Sequence, residues 1–250
     1  MPTPNPPHAP MQPPLPRYLQ LLWDIEPSGR RGPKPGRSIQ EIGAAAVGLA
    51  DREGLEAVSM KAVAAELGLT TMSLYRYVDS KDELGAVMLD VAYGPVADRL
   101  THRGRWRTRA EAWARAVAGL CREHPWIVDL SLPGPPLTPN AIDWMEAGVR
   151  ALAPTPLTGQ QQLSSLLVID GYVRDHVRMC VRFGFLGEPR DDGQLYGARL
   201  AQLIDPSRFP LVSAAQGAFE EDDTDFFETE LTFGLGLLLD GIGAMVDRAG

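Results

Sequence analysis

Residues 59–81 read SMKAVAAELGLTTMSLYRYVDSK, and this stretch decides the fold. Met60, Val63, Ala64 and Leu67 recur at helical spacing, and Gly68 stands where a helix closes through a left-handed residue. Met72, Leu74, Tyr75 and Val78 then open a second periodic run after Thr70 and Thr71. Two short helices joined by a glycine turn form a helix-turn-helix, which lays its second helix in a DNA major groove while the first braces it across the backbone. The same spacing also fits a helical hairpin inside an all-α core. The second helix separates the two readings. Its outward positions carry Thr70, Thr71, Ser73, Arg76, Tyr77 and then Lys81, side chains that donate to phosphates and base edges.

Working outward, Ser38 and Glu41 spell a capping box that starts the preceding helix, whose apolar stripe is Ile42, Ala45, Ala46 and Leu49 and whose end is Gly54. Ser59 caps the next helix. Ser80 and Glu83 spell a second capping box, opening a helix through Leu84, Val87, Met88 and Val91 that connects this head to the rest of the chain. Upstream, GRRGPKPGR at 29–37 supplies Arg31, Lys34 and Arg37. A segment of this kind is either a solvated linker or an arm that follows the DNA backbone or enters a minor groove. The basic run Arg99, Arg103, Arg105, Arg107 and Arg109 reads as a turn between helices rather than a second nucleic-acid site.

Residues 54–90, GLEAVSMKAVAAELGLTTMSLYRYVDSKDELGAVMLD, resemble the DNA-binding domain of the tetracycline-repressor (TetR/AcrR) family. The likeness extends to the LYRYV core, the lysine shortly beyond it and the Glu-Leu pair in the next helix. RGPKPGRS at 31–38, His124-Pro125-Trp126 and FGLGLLLDGI at 233–242 resemble members with a tetracycline-repressor-like C-terminal domain. The resemblance implies that Tyr75, Tyr77 and Lys81 hold phosphates, that Thr71, Met72, Ser73 and Arg76 face bases, and that Ser59 and Lys61 add contacts from the preceding helix. It further implies a homodimer on an inverted-repeat double-stranded DNA operator, acting as a repressor that a small-molecule effector releases. Met72 and Arg76 stand at variable positions of the family, so they indicate no base preference.

The formal net charge of -8 over 250 residues argues against a general nucleic-acid coat, although basic residues outnumber acidic ones between 29 and 81. Cys121 and Cys180 are far apart and lack metal-ligand rhythm, which points to free core thiols, no metal and a cytoplasmic home. Residues 1–16 hold eight prolines and read as a tail, followed by a short apolar docking segment from Tyr18 to Ile25. No secretory leader is expected, and no run of about 18 apolar residues suggests a membrane span.

The expected organisation is all-α: a tail and docking segment at 1–28, a head at 29–84 and a helical body at 85–250. The body's helices are expected at 106–123, from Thr138 with Pro139 in the first position, at 158–183, at 190–203, and at 224–246 after a loop through Pro206 and Pro210. The helix at 158–183 is apolar on two sides and the last one carries four glycines, so a four-helix dimer interface is expected there, with Leu166, Val173, Leu231, Leu235 and Leu238 in it. Trp113, Trp144, Tyr172 and His176 suit either plain core or an apolar effector pocket with His176 as its polar anchor. No HExxH, paired-cysteine, nucleophile-elbow or phosphate-loop pattern occurs, and no cofactor is expected. Two other readings stay open: a helical small-molecule-binding protein without DNA regulation, and an enzyme using His176 with Asp170 or Asp175.

Overall fold

The computed structural model describes residues 14–25, 36–98, 100, 103–186, 191–217 and 225–250, and among them every regular element is a helix. In the head, α2 (Ile39–Glu53) starts with the expected capping box: Ser38 Oγ accepts from Glu41 N, and the Glu41 carboxylate accepts from Ser38 N at 2.7 Å. That backbone contact, with Arg37 beside it, holds the Glu41 carboxyl below its ordinary range. A short 3-10 turn (Leu55–Ala57) leads to α3 (Met60–Glu66), capped by Ser59 Oγ accepting from Ala62 N at 3.1 Å. Gly68 turns the chain at φ 65°, which a side chain would resist, into the single turn of α4 (Thr71–Leu74). Leu74 and Val78 are fully buried beneath it.

One expected cap differs in detail. Ser80 Oγ accepts from Glu83 N at the start of α5 (Lys81–Tyr93), but the Glu83 carboxylate turns to Asp79 N at 2.6 Å instead of closing back on Ser80. The boundary expected at 84/85 falls inside this one helix. Gly43 of α2 faces Val87 and Val91 of α5, while farther along Asp90 accepts from Asn140 N at 2.8 Å. The buried core accordingly runs without a break from head to body. The docking segment forms α1 (Arg17–Leu22), whose Tyr18, Leu19 and Leu22 are buried, and Trp23 Nε1 donates to Leu137 O at 2.8 Å.

The body is built on α6 (Trp106–Glu123), α7 (Pro139–Leu152), α8 (Gly159–Phe183) and α11 (Phe226–Ala249). A 3-10 turn (Pro125–Asp129) follows α6 and rests on α8. Thr158 starts α8 with a full capping box to Gln161. The segment expected as a loop through Pro206 and Pro210 contains a further helix: after α9 (Asp191–Leu203), α10 (Pro210–Gly217) begins on the proline itself, where a missing N–H costs nothing. Two members of the arginine run serve the body, since Arg107 pairs with Asp240 at 2.7 Å and Arg109 donates to Ala151 O at 3.3 Å, and Arg99 lies outside the described residues. Cys121 and Cys180 are free and fully buried, and burial raises their thiols to about 11 and about 12.

The interface expectation requires correction. Leu166, Val173, Leu231 and Leu235 are 7%, 0%, 1% and 1% exposed, so they fill the chain's own core, and Leu238 is half-buried. The other side of each helix is the exposed one, with Leu163, Leu167 and Val168 on α8 and Phe233 and Leu237 on α11. Of the four glycines on α11, Gly234 has the close approach inside the chain. A Cβ there would fall 2.1 Å from the Tyr172 hydroxyl, and open space surrounds Gly236 and Gly241. The expectation that no stretch is apolar enough to cross a bilayer also gives way, because α11 meets that test of length and composition. One of its faces is the packed core just described, and Glu228, Glu230, Asp240, Asp247 and Arg248 interrupt it.

Candidate nucleic-acid interface and ligand region

Hydrogen bonds and burial sort the candidate DNA residues. Ser59, Lys61, Thr70, Met72, Tyr75, Arg76 and Lys81 are exposed, Met72 at 75%, and Thr71 and Ser73 are half-buried. Thr70 Oγ1 caps α4 by accepting from Ser73 N at 3.2 Å and pairs with Ser73 Oγ at 2.9 Å, so these two hydroxyls hold the turn in shape. The result is a small convex platform carrying one thioether, one phenol and two cations above Leu74 and Val78. Such a set meets phosphates and groove edges.

Two of the expected contacts sit differently. Tyr77 is only 5% exposed, and its hydroxyl donates to Arg37 O at 3.0 Å and accepts from Arg37 N at 3.4 Å. A phosphate contact from that ring gives way to a positioning task, in which Tyr77 pins the chain entering α2 against the end of α4. Arg37 in turn reaches Glu41 at 3.1 Å and Leu67 O at 3.4 Å, which fastens it to the head. Arg31 and Lys34 lie outside the described residues.

The aromatic cluster is core. Trp144 is 1% exposed, Trp113 5% and His176 4%. Each ring turns a polar atom to a backbone carbonyl: Trp113 Nε1 to Trp144 O at 2.8 Å, Trp144 Nε1 to Gly94 O at 3.1 Å, Tyr172 OH to Glu230 O at 2.6 Å, and His176 Nε2 to Phe227 O at 2.9 Å. The pocket expected there, with His176 as anchor, is replaced by packed side chains that offer a ligand no free donor. Four aromatic residues spread over three helices suit core and pocket equally, and the choice between them lies in the packing.

His176 gives this core a pH dependence. Burial holds its imidazole below the usual 6.5, against the pull of the Phe227 carbonyl, Glu230 and Glu228, with Cys180 Sγ 3.7 Å away. A depressed value means that unfolded chains take up the proton first. Stability is therefore full above pH 6.5 and falls as the pH drops below it, by at most about 1.4 kcal/mol per pH unit. Urea midpoints measured at neutral and mildly acid pH should converge in His176→Gln relative to the parent chain. An equal acid loss in both proteins would show that His176 is not the group responsible.

Sequence reasoning missed a cluster that joins head to body. Asp51 Oδ1, at the end of α2, accepts from Trp126 Nε1 at 2.7 Å and hydrogen-bonds His124 Nδ1 at 2.8 Å. The sequence signal was present in His124-Pro125-Trp126, but Asp51 stands more than seventy residues away.

Residues 42–86 match the family described as bacterial regulatory proteins, tetR family, and residues 100–246 match the tetracyclin repressor-like C-terminal domain. This chain belongs to the tetracycline-repressor family. The match to the second description covers the helices for which the sequence offered only short signals. The chain is similar to the HTH-type transcriptional repressor DrrR1 of Streptomyces coeruleorubidus, 38% identical over 237 residues that span 92% of this chain and 86% of that protein. It is 25% identical over 227 residues to the HTH-type transcriptional repressor Rv1353c of Mycobacterium tuberculosis, covering 88% of this chain and 87% of that one. Among solved structures, ActR of Streptomyces coelicolor without ligand superposes with a TM-score of 0.71 at 20% identity, over 88% of this chain and 100% of that chain. ActR in complex with actinorhodin superposes at 0.72, also at 20% identity, over 86% and 99%. A tetracycline-repressor family member with an intact helix-turn-helix head is a DNA-binding transcriptional regulator.

Proposed function

We propose that this regulator is a homodimeric repressor that binds an inverted-repeat operator through two identical heads and is released by a small, largely apolar effector. The observation that carries the DNA reading is the exposed platform of Met72, Tyr75, Arg76 and Lys81 over a buried Leu74 and Val78. Thr70, Thr71 and Ser73 shape that platform, Ser59 and Lys61 flank it from α3, and Tyr77 positions it. The half-sites lie about one helical turn or slightly more apart, because the twofold symmetry of the protein is mirrored in the DNA. The body from α6 onward supplies the assembly surface. The apolar strip of Leu163, Leu167, Val168, Phe233 and Leu237 is the face that a second copy covers, which also accounts for the apolar length of α11. Responsiveness to an effector is supported by the fold shared with ActR, which has been solved with actinorhodin. Transcriptional control in the cytoplasm, rather than catalysis, is the role assigned.

The test compares two substitutions on the platform. Lys81→Ala is expected to weaken binding to all sequences alike and to flatten the salt dependence by about one unit of slope. Arg76→Ala is expected to change preference among sites, since a side chain that pairs with a base edge is worth about 1–3 kcal/mol of discrimination. Anisotropy titrations on selected and random duplexes at several salt concentrations decide between them. Identical behaviour of the two variants on both kinds of DNA would refute the division of roles.

A further inference from the structure

Among the described residues of the head, the large apolar side chains that face solvent are Met72, at 75% exposure, and Tyr75, at 43%. They stand three residues apart across the single turn of α4, so they share one side of it. Tyr75 ends in a hydroxyl that can meet a phosphate. Met72 ends in a thioether, which is a weak acceptor and no donor. The hydroxyls of Thr70 and Ser73 are turned to each other at 2.9 Å, and Thr70 Oγ1 also accepts from Ser73 N at 3.2 Å. Met72 thus gives the platform an apolar tip, beside the exposed cations Arg76 and Lys81 that draw it onto a duplex.

An apolar tip restricts what it can touch. In the major groove guanine shows N7 and O6, adenine N7 and N6, and cytosine N4, each a group that loses its water without replacement when carbon or sulfur is pressed against it. Thymine adds a 5-methyl group, for which exchanging water for a thioether is favourable. Three rotatable bonds let the methionine settle its sulfur and terminal methyl against that group. The position varies in the family, so the preference follows from the methionine itself.

We propose that Met72 reads the 5-methyl group of a pyrimidine, supplied by one thymine in each half-site of the operator. The inference rests on the platform reading above and names what one of its side chains recognises. Arg76 and Lys81, both donors, hold the duplex while the thioether tests for the methyl.

The test uses the full chain and a duplex selected with it from an unmodified random pool. Each thymine is exchanged in turn for deoxyuridine, which removes the methyl and leaves the base pair intact, and affinities are read by anisotropy. At one thymine per half-site the exchange is expected to weaken the parent chain about fourfold, the effect of one buried methyl group. Met72→Leu should keep that ratio, because leucine is apolar and of similar volume. Met72→Ala should bind the thymine and deoxyuridine duplexes alike, and the exposure of the side chain leaves the fold untouched by the exchange. A C·G pair at the same position should weaken the parent, and 5-methylcytosine there should recover about fourfold in the parent and nothing in Met72→Ala.

The proposal is overturned if no deoxyuridine exchange separates the parent from Met72→Ala, or if 5-methylcytosine brings the parent no recovery. A Met72→Ala chain weakened equally on every duplex also overturns it, and would set the side chain against the DNA backbone. Lys81→Ala tests the platform itself: it should weaken thymine and deoxyuridine duplexes alike and leave their ratio at about fourfold. Unchanged affinity in Lys81→Ala would refute the phosphate contact of the platform, while the ratios in the parent and Met72→Ala still decide the thymine assignment.

Discussion

A chain carrying both Leu167→Asp and Leu237→Asp is expected to fold as a monomer and to lose about 10²–10⁴-fold in affinity for a two-half-site operator, the gain that tethering two heads supplies. Leu167 is 73% exposed and Leu237 60%, with Phe233 at 65%, Val168 at 53% and Leu163 at 48% around them. On α8 the residues at 163 and 167, and on α11 those at 233 and 237, are spaced by four, so each helix presents one continuous outer stripe. The two helices already pack on each other within the chain, which brings the stripes together into one patch. A contiguous apolar patch of this kind marks an interaction site, and a twofold copy covering it produces a four-helix interface. Charges placed there cost nothing in the isolated chain, so helicity should be retained while sedimentation reports a monomer. Leu235→Asp makes the contrast: at 1% exposure it would bury an unpaired carboxylate and unfold the body. Retention of the dimer by the double variant would move the interface to another face.

Trp144→Ala is expected to cost about 3–5 kcal/mol in urea unfolding, the usual range for deleting a large buried aromatic. The ring is 1% exposed, stands 5.6 Å from the Tyr93 ring between centroids, and donates to Gly94 O, while the Trp144 carbonyl accepts from Trp113. These contacts join α6, α7 and the end of α5. Asp90 and Asn140 tie the same end of α5 at 2.8 Å, and Tyr93 reaches Arg174 on α8. Trp144→Phe keeps most of the packing but leaves the Gly94 carbonyl without its donor, for which about 1–3 kcal/mol is expected. A wild-type urea midpoint in Trp144→Ala would mean that the cluster is loosely filled, as a ligand pocket would be. Because α5 also carries Lys81, operator affinity is expected to fall in Trp144→Ala even under conditions where the chain stays folded.

The head was legible because its determinants are local. Ser38 with Glu41, Ser59, Gly68 and Thr70 each act within a few residues of themselves, and the outward polar set follows from the register of one short helix. Even there, Tyr77 escaped: whether a tyrosine at the end of a helix faces solvent or a neighbouring backbone depends on Arg37, forty residues earlier. The Glu83 carboxylate likewise chose Asp79 N over Ser80 N, a difference of one backbone amide that spacing does not resolve.

In the body, the periodicity showed that α8 is apolar on two sides, that α11 is apolar and rich in glycine, and that Trp113, Trp144, Tyr172 and His176 suit an apolar surrounding. It did not assign the sides. Leu166 and Leu167 are adjacent in sequence and chemically identical, yet one is 7% exposed and the other 73%. Hydrophobic burial is non-directional, so periodicity reports that a face must be covered and leaves open what covers it. The packing of the folded chain settled that α6 and α7 cover the inner face and that the ring edges of Trp113, Trp144 and His176 are spent on backbone carbonyls. Each of those outcomes depends on contacts between residues dozens of positions apart, whose distances no local pattern encodes.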